Sequence, residues 1–163
     1  MPISFGFPKE KIKHPEEVQK TKNWIKGIVD EDLAPYLEGS SSQPIGTKKY
    51  SFFSESDYYN DIANSRFGVT TKRAGWDCLR HYEIAANASV ICFKSLDKKP
   101  ATCAPHFLDK TNSINYSSSE ELLQRVALIK DDEYKIIQLN GWKWINNMTT
   151  ISVSRRMLEQ LKK

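Results

Sequence analysis

Apolar and polar residues in the middle of the chain change from a strand pattern to a helix pattern and back. Residues 67–71 form an aromatic and β-branched run, and residues 89–93 are almost wholly apolar, so both predict strands, the second buried on both faces. Gly75 ends the first run, and residues 76–87 predict a helix. This order implies parallel strands joined by a right-handed crossover. The pattern predicts an α/β domain of three layers with a Rossmann-like parallel sheet.

The flanking segments carry shorter versions of the same patterns. Residues 15–29 place apolar residues among lysines and glutamates after Pro15, which predicts a surface helix. Ser54, followed by acidic residues, predicts a capped helix through Asn64. Further short strands are predicted at residues 2–7 and 50–53, loops at residues 39–44 and 100–105, and helices at residues 120–130, 131–147 and 151–163.

Length and composition narrow the class of protein. The chain has 163 residues, of which 39% are hydrophobic and 27% are charged, and this is typical of one globular domain over residues 1–163. No apolar run is long enough to cross a bilayer, and the N-terminal segment lacks a signal-peptide core. The three cysteines show no paired spacing, which favours a reducing compartment. We therefore expect a cytoplasmic protein without a membrane span.

The charges are spread along the chain. The net charge of +4 comes from 24 basic and 20 acidic residues, and it lacks the concentrated basic stripe of a nucleic-acid-binding protein. The two Cys and His pairs, Cys78 with His81 and Cys103 with His106, lack the four-ligand spacing of a zinc site. The sequence therefore predicts neither a nucleic-acid partner nor a metal, and it favours a small anionic ligand.

One face of the predicted helix at residues 76–87 carries polar and aromatic side chains. Residues that follow each other at spacings of three and four lie on the same side of a helix. The stripe consists of Trp76, Arg80, Glu83 and Asn87. It combines a cation, a carboxylate and an aromatic ring.

The turn before this helix is basic and contains a glycine. A helix that follows a parallel strand points its free N–H groups at the crevice where open α/β sheets bind ligands. Lys72, Arg73 and Gly75 lie in that turn. They place two cations and an open backbone beside a pyrophosphate, and Arg80 adds a bidentate fork. Glu83, one turn further on, has the acceptors for both hydroxyls of a ribose.

Residues 75–83, Gly-Trp-Asp-Cys-Leu-Arg-His-Tyr-Glu, carry a family resemblance. They belong to the stretch 67–93, in which a basic turn leads to a helix with an arginine and a glutamate and then to a strand of small residues. This longer stretch is similar to the donor-site signature of GT-B glycosyltransferases, notably the exostosin-like branch. Nearly the whole chain resembles the C-terminal, nucleotide-sugar-binding half of glycosyltransferase-like proteins of bacteria and viruses. The resemblance implies a single GT-B-type half that binds a nucleoside-diphosphate sugar as donor substrate, without a cofactor. It also implies that Arg80 contacts the donor diphosphate and Glu83 the donor ribose.

The chain departs from the family pattern at two positions, and a third residue has an unfavourable charge. Ala88 replaces the glycine that usually follows the helix, and a left-handed backbone there would strain it. Gly75 stands where the more widespread pattern has its first glutamate, which removes one contact to the donor sugar. Asp77 lies where a diphosphate would dock, and its charge opposes the ligand unless the side chain points away.

Several residues have a second interpretation. Arg80 and Glu83 also fit a surface ion pair of little energetic value. His81 is either a donor-contacting group or a packing residue, and Trp76 either stacks on a base or sugar or is buried at the start of the helix. Asp77 and Gly75 fit a helix cap and a turn residue.

The expected function is glycosyl transfer in glycan synthesis. GT-B enzymes use two domains, and 163 residues suffice for one, so an acceptor-binding domain or second chain is the expected partner. The alternative is a non-catalytic nucleotide- or protein-binding module of the same fold.

Overall fold

A parallel sheet with helices packed against it forms the centre of the protein. The computed structural model describes residues 4–27, 30–37 and 52–162. Within these ranges the strands are β1 (Lys22–Trp24), β2 (Ser65–Thr71), β3 (Val90–Lys94) and β4 (Ser113–Tyr116). They are adjacent in chain order, β1-β2-β3-β4, and all pairs are parallel. The predicted α/β fold, with a Rossmann-like parallel sheet flanked by helices in three layers, is confirmed.

The helices connect and follow the strands. They are α1 (Glu55–Ala63), α2 (Leu79–Ala86), α3 (Ser119–Leu128), α4 (Asp131–Asn147) and α5 (Thr150–Leu161). Serine or threonine side chains cap three of them, because Ser54, Ser118 and Thr149 each accept a backbone N–H of the first turn. In the described ranges, none of the helices combines the length and the apolar character that crossing a membrane would require.

The two central strands supply most of the buried sheet. Residues 67–71 of β2 pair in register with residues 90–94 of β3. Four consecutive residues of β3, from Val90 to Phe93, are at most 1% exposed, which confirms a strand buried on both faces. A continuous apolar run is what a parallel strand needs, since helices or loops cover both sides of it.

Helix α2 packs directly on the backbone of β2 at a glycine. An ideal Cβ placed on Gly68 would lie 2.7–2.8 Å from three side-chain atoms of Ile84, which is fully buried. The missing side chain at Gly68 therefore sets how closely α2 approaches the sheet. The height of α2 above β2 determines where the charged residues of its first turns lie.

We expect Gly68→Ala to lower the free energy of unfolding by about 1–3 kcal/mol, because the added methyl must displace Ile84 in a packed core. Urea denaturation followed by tryptophan fluorescence measures the change. Gly75→Ala is the matched control, since a Cβ added at Gly75 would have no atom within 4 Å of it. Equal stabilities of the two variants would show that α2 does not depend on the close contact at Gly68.

The predicted surface helix at residues 15–29 is wrong. A single turn at Pro15–Glu17 is followed by strand β1. Trp24 packs its ring 5.4 Å from that of Phe67, and the N–H of the buried Ile25 donates to the carbonyl oxygen of Phe67. Neighbouring side chains on opposite faces of a strand can both be buried, so pairing with β2 overrides the helical spacing.

Two predicted aromatic strands are absent from the described residues, and one strand was missed. In residues 4–7 only Phe7 forms a bridge, to Thr149, and residues 52–53 are irregular, with Phe53 fully exposed. Residues 1–3 and 50–51, together with the predicted loop at 39–44, lie outside the described ranges. Strand β4 was missed because it has only four residues, too few for their alternation of polar and apolar side chains to be distinctive.

Candidate functional site

The turn between β2 and α2 is longer than the sequence pattern indicates. Helix α2 begins at Leu79, with Cys78 as its N-cap residue, and not near Trp76. Asp77 does not cap it, because its carboxylate accepts hydrogen bonds from the Tyr82 hydroxyl at 2.8 Å and the Phe5 N–H at 3.2 Å. Both hydrogen bonds hold the Asp77 carboxylate against other parts of the protein. Burial raises the pKa of this carboxyl.

The later start of α2 divides the predicted stripe. Arg80 and Glu83 lie on the helix, Trp76 lies in the turn before it, and Asn87 is the C-cap residue. Trp76 is half-buried and stacks on Phe93, with ring centroids 6.2 Å apart. The four residues therefore do not form one helical face.

The two cations of the turn are exposed and have no anionic partner among the described residues. Lys72, Arg73 and Gly75 are all exposed, and the turn closes through a hydrogen bond from the Arg73 N–H to the Gly75 carbonyl. The Lys72 ammonium lies 5.2 Å from the ring centroid of Trp76. In the part of the chain that the structure describes, neither cation forms a salt bridge. Both charges are thus available at the carboxyl end of β2.

Arg80 and Glu83 bond to other groups and not to each other. Arg80 donates from Nη1 to the carbonyl oxygen of Gly27 at 3.1 Å. Glu83 accepts from the hydroxyls of Tyr58 at 2.8 Å and Tyr59 at 3.4 Å. Both residues are half-buried, between α2 and the segments that precede β2. The described residues therefore do not contain the surface ion pair that was the alternative interpretation.

The two tyrosines beside Glu83 remain hydrogen-bond donors at neutral pH. Burial is the main cause that raises the pKa of Tyr58 and Tyr59, and the charge of Glu83 raises both further. The phenols therefore stay protonated at neutral pH and keep donating to the carboxylate. This arrangement orients Glu83 but uses only two of its acceptor positions.

His81 is a fully buried residue beneath the turn. Its exposed fraction is 0%, its Nε2 lies 3.0 Å from the carbonyl oxygen of Trp76, and its Nδ1 lies 2.9 Å from the Thr70 hydroxyl. Since a carbonyl only accepts, Nε2 carries the proton and Nδ1 accepts from Thr70. Burial lowers the pKa of His81 to about 4. The ring is therefore neutral at physiological pH, and its bond to the Trp76 carbonyl stabilises the turn.

Ala88 adopts the conformation that favours glycine. Its φ is 52°, in the left-handed region, and its carbonyl accepts a hydrogen bond from the Gln138 side chain at 2.7 Å. The side chain is buried, with 1% exposed. The departure from the family glycine therefore imposes backbone strain on the link between α2 and β3.

A second polar cluster at the carboxyl edge of the sheet was missed by sequence reasoning. Lys94 and Tyr116 end β3 and β4 as register partners. The Lys94 ammonium donates to Asp30 at 2.9 Å and to Asp32 at 2.7 Å. Asp30, only 4% exposed, also accepts the Tyr116 hydroxyl at 2.8 Å. No local pattern links residues separated by 64 and 86 positions.

No described group of three or more His, Cys, Asp or Glu side chains has an arrangement that could hold a metal ion. Of the two Cys and His pairs considered for zinc, Cys78 contacts His81, with Sγ 3.4 Å from Nε2. Burial raises the pKa of the Cys78 thiol, which keeps it in the uncharged form.

Protein-family models and curated proteins give no match to this chain. The resemblance to GT-B glycosyltransferases therefore stays a prediction from the sequence, made from the motif within residues 67–93 and from the chain as a whole. The function of that motif depends on how the structure arranges four residues: Lys72, Arg73, Arg80 and Glu83.

Proposed function

We propose that this chain is the nucleotide-sugar-binding domain of a GT-B-type glycosyltransferase, with the donor diphosphate at the carboxyl end of β2. The observation that carries the proposal is the exposed turn directly before helix α2, with two cations, Lys72 and Arg73, that form no salt bridge with any described residue. In open α/β sheets, ligands bind outside the carboxyl ends of the strands. Cations beside a helix N-terminus suit a phosphate group.

The neighbouring charges support an anion at this turn. Asp77, whose charge would oppose a diphosphate here, is held by Tyr82 and Phe5. Arg80, in the first turn of α2, uses one of its five N–H donors on Gly27. Its remaining donors suit a bidentate contact with phosphate oxygens. Gly75 adds no side chain to obstruct the ligand.

Glu83 is the proposed partner of the donor ribose. Tyr58 and Tyr59 hold its carboxylate in one orientation, and a carboxylate has about four acceptor positions. Two acceptor positions of Glu83 therefore remain for the two hydroxyls of a ribose. Preorganised acceptors lose less conformational freedom when a ligand binds.

The second candidate is a nucleotide-binding module without catalytic activity. Gly75 favours it, because an open glycine replaces the carboxylate that the wider GT-B pattern brings to the donor sugar. The described sheet also has its strands in chain order, without a reversal, so it lacks a crevice at a topological switch point. In the first candidate, by contrast, an acceptor-binding domain or second chain completes the active enzyme.

A panel of UDP-, GDP- and dTDP-sugars tests the donor site. We expect at least one of them to raise the melting temperature of the wild-type chain, because a ligand that binds only the folded state stabilises it. The double variant Lys72→Ala/Arg73→Ala should lower the affinity for that ligand about tenfold or more, because it removes two charge-assisted contacts. Glu83→Gln should lower the affinity for nucleoside diphosphates and leave the affinity for inorganic pyrophosphate unchanged. Titration calorimetry measures each affinity.

The control is Lys98→Ala/Lys110→Ala, which removes the same charge from exposed positions outside the turn. Equal weakening by both double variants would contradict a defined diphosphate site. Failure of every nucleotide sugar to bind the wild type would reject the proposal. Binding without glycosyl transfer, assayed in the presence of acceptor sugars and cell extract, would favour the non-catalytic module.

A further inference from the structure

We propose that a polar pocket between α1, α2 and the N-terminal segment is a separate binding site for a small anion that also carries hydroxyl groups, such as a sugar phosphate or a sugar acid. The pocket has a volume of about 240 Å³ and is lined by Lys11, Lys13, Ser56, Tyr59, Asn60 and Asn87. This volume is below the range of about 300–1,000 Å³ for drug-sized ligands. It favours a ligand of roughly monosaccharide size.

Asn87 brings an unsatisfied acceptor to this pocket. The residue is 2% exposed, and its side-chain Nδ2 donates to the carbonyl oxygen of Glu83 at 3.0 Å. That carbonyl only accepts, so the other atom of the amide is Oδ1. Oδ1 is buried and has no hydrogen-bond partner among the described residues. Leaving such an acceptor unpaired is unfavourable, and a rotation of the side chain toward the pocket would bring it within reach of a ligand hydroxyl.

Lys13 supplies a positive charge that no described carboxylate neutralises. It is half-buried, it forms no salt bridge in the described part of the chain, and its N–H donates to the Ala86 carbonyl at 2.8 Å. That bond holds the backbone of Lys13 against the end of α2. Lys11 adds a second ammonium, which pairs with Glu55 at 2.9 Å and lies 5.4 Å from the Tyr59 ring centroid. The two lysines together favour an anionic ligand.

The end of α2 does not oppose the anion. Helix C-termini carry partial negative charge, and α2 ends beside Asn87, which lines this pocket. The Lys20 ammonium donates to the carbonyls of Ala63 at 2.8 Å and Asn87 at 2.9 Å, and to Ser89 Oγ at 3.0 Å. It therefore covers the carbonyl groups of both helix ends. Burial first, and then the charge of Lys13, lower the pKa of Lys20 to about 7, so a neighbouring anion would offset excess positive charge.

The remaining lining groups suit a hydroxylated ring. Ser56 and Asn60 lie on the exposed side of α1 one turn apart and offer a hydroxyl and an amide. Tyr59 adds an aromatic face between them. Polar groups around one aromatic surface are suited to sugar-like ligands, which have both apolar faces and hydroxyl edges.

Titration of the ¹⁵N-labelled full chain with glucose 6-phosphate and glucuronate, followed by NMR, tests the site. We expect one or both to shift the amide signals of Ser56, Asn60 and Asn87 while the signals of residues 72–75 stay in place. Glucose without a charge and inorganic phosphate without hydroxyl groups should each bind at least about tenfold more weakly. Binding of the phosphate sugar or of the acid identifies which anion the lysines prefer.

Two variants and a control make the test specific. Lys13→Gln should weaken the better ligand about tenfold, and Asn60→Phe should block the pocket from its exposed side. Lys9→Gln, an exposed cation outside the pocket on the same segment, should leave affinity unchanged. The proposal is overturned if neither sugar anion shifts the pocket signals, if inorganic phosphate binds as well as glucose 6-phosphate, or if Lys9→Gln weakens binding as much as Lys13→Gln. Residues 72–75 report on the donor site and Ser56, Asn60 and Asn87 report on this pocket, so failure of one proposal is distinguishable from failure of the other.

Discussion

Acidification from pH 6.5 to pH 4 should lower the free energy of unfolding by about 3 kcal/mol through His81 alone. Burial lowers the pKa of this residue in the folded protein to about 4, from an ordinary value of 6.5. Between these values the unfolded chain binds a proton that the folded chain excludes, so stability falls as the pH falls. The contribution of His81 is fully present above pH 6.5. Urea denaturation at several pH values measures the slope.

The geometry gives the physical reason for this pH dependence. A proton on Nδ1 would meet the Thr70 hydroxyl, which must then give up its donor role, and the charge would lie against Phe93, whose ring centroid is 4.7 Å away. His81→Gln keeps a donor and an acceptor but cannot titrate, so the slope between pH 4 and 6.5 should become shallower. His14→Gln, at a partly exposed position, should leave most of the slope. Parallel curves for wild type and His81→Gln would exclude His81 as the cause.

Asp30→Ala should destabilise the protein by about 3–5 kcal/mol, the range for breaking a buried ion pair by removing one partner. The carboxylate is 4% exposed and bonds both the Lys94 ammonium and the Tyr116 hydroxyl. Without Asp30, the buried hydroxyl of Tyr116 loses this acceptor, and Lys94 keeps one carboxylate partner, Asp32. Because Asp32 is largely exposed, its remaining bond to Lys94 compensates for little of the loss.

Asp32→Ala is the matched control for Asp30→Ala. Lys94 bonds both carboxylates, but only Asp30 is buried, so Asp32→Ala should have a much smaller effect. Asp30→Asn, which keeps an acceptor for Tyr116, should fall between the two. Thermal and urea denaturation measured by circular dichroism provide the comparison. Similar losses for Asp30→Ala and Asp32→Ala would contradict a structural role for the buried carboxylate.

The fold elements that the sequence predicted correctly are those with local causes. Strand β3 is a continuous apolar run, helix α1 begins at the capping residue Ser54, and α4 occupies Asp131–Asn147 as predicted. Each of these patterns needs only neighbouring residues to be recognised. Strand β1 and strand β4 were not predicted, because each is short and becomes a strand by pairing with a neighbour that is distant in sequence.

The candidate site divides in the same way. The basic turn and the position of Arg80 and Glu83 on the following helix were predictable from a strand, a glycine and a helical spacing. Their partners were not: Gly27 is 53 positions from Arg80, and Tyr58 is 25 positions from Glu83. That Oδ1 of Asn87 has no hydrogen-bond partner in the described part of the chain depends on how α1 and the N-terminal segment surround the end of α2.

The amino-acid sequence by itself determined the α/β class, the parallel β2 and β3 unit and the charges that follow β2, because apolar runs, caps and turns act over a few residues. Only the tertiary structure decided that residues 22–24 are a strand, that the Asp77 carboxylate bonds to Tyr82 and Phe5, and that His81 is buried and neutral. The physical reason is that hydrogen-bond partners, desolvation and charge neighbours come from segments brought together by the packing of the core.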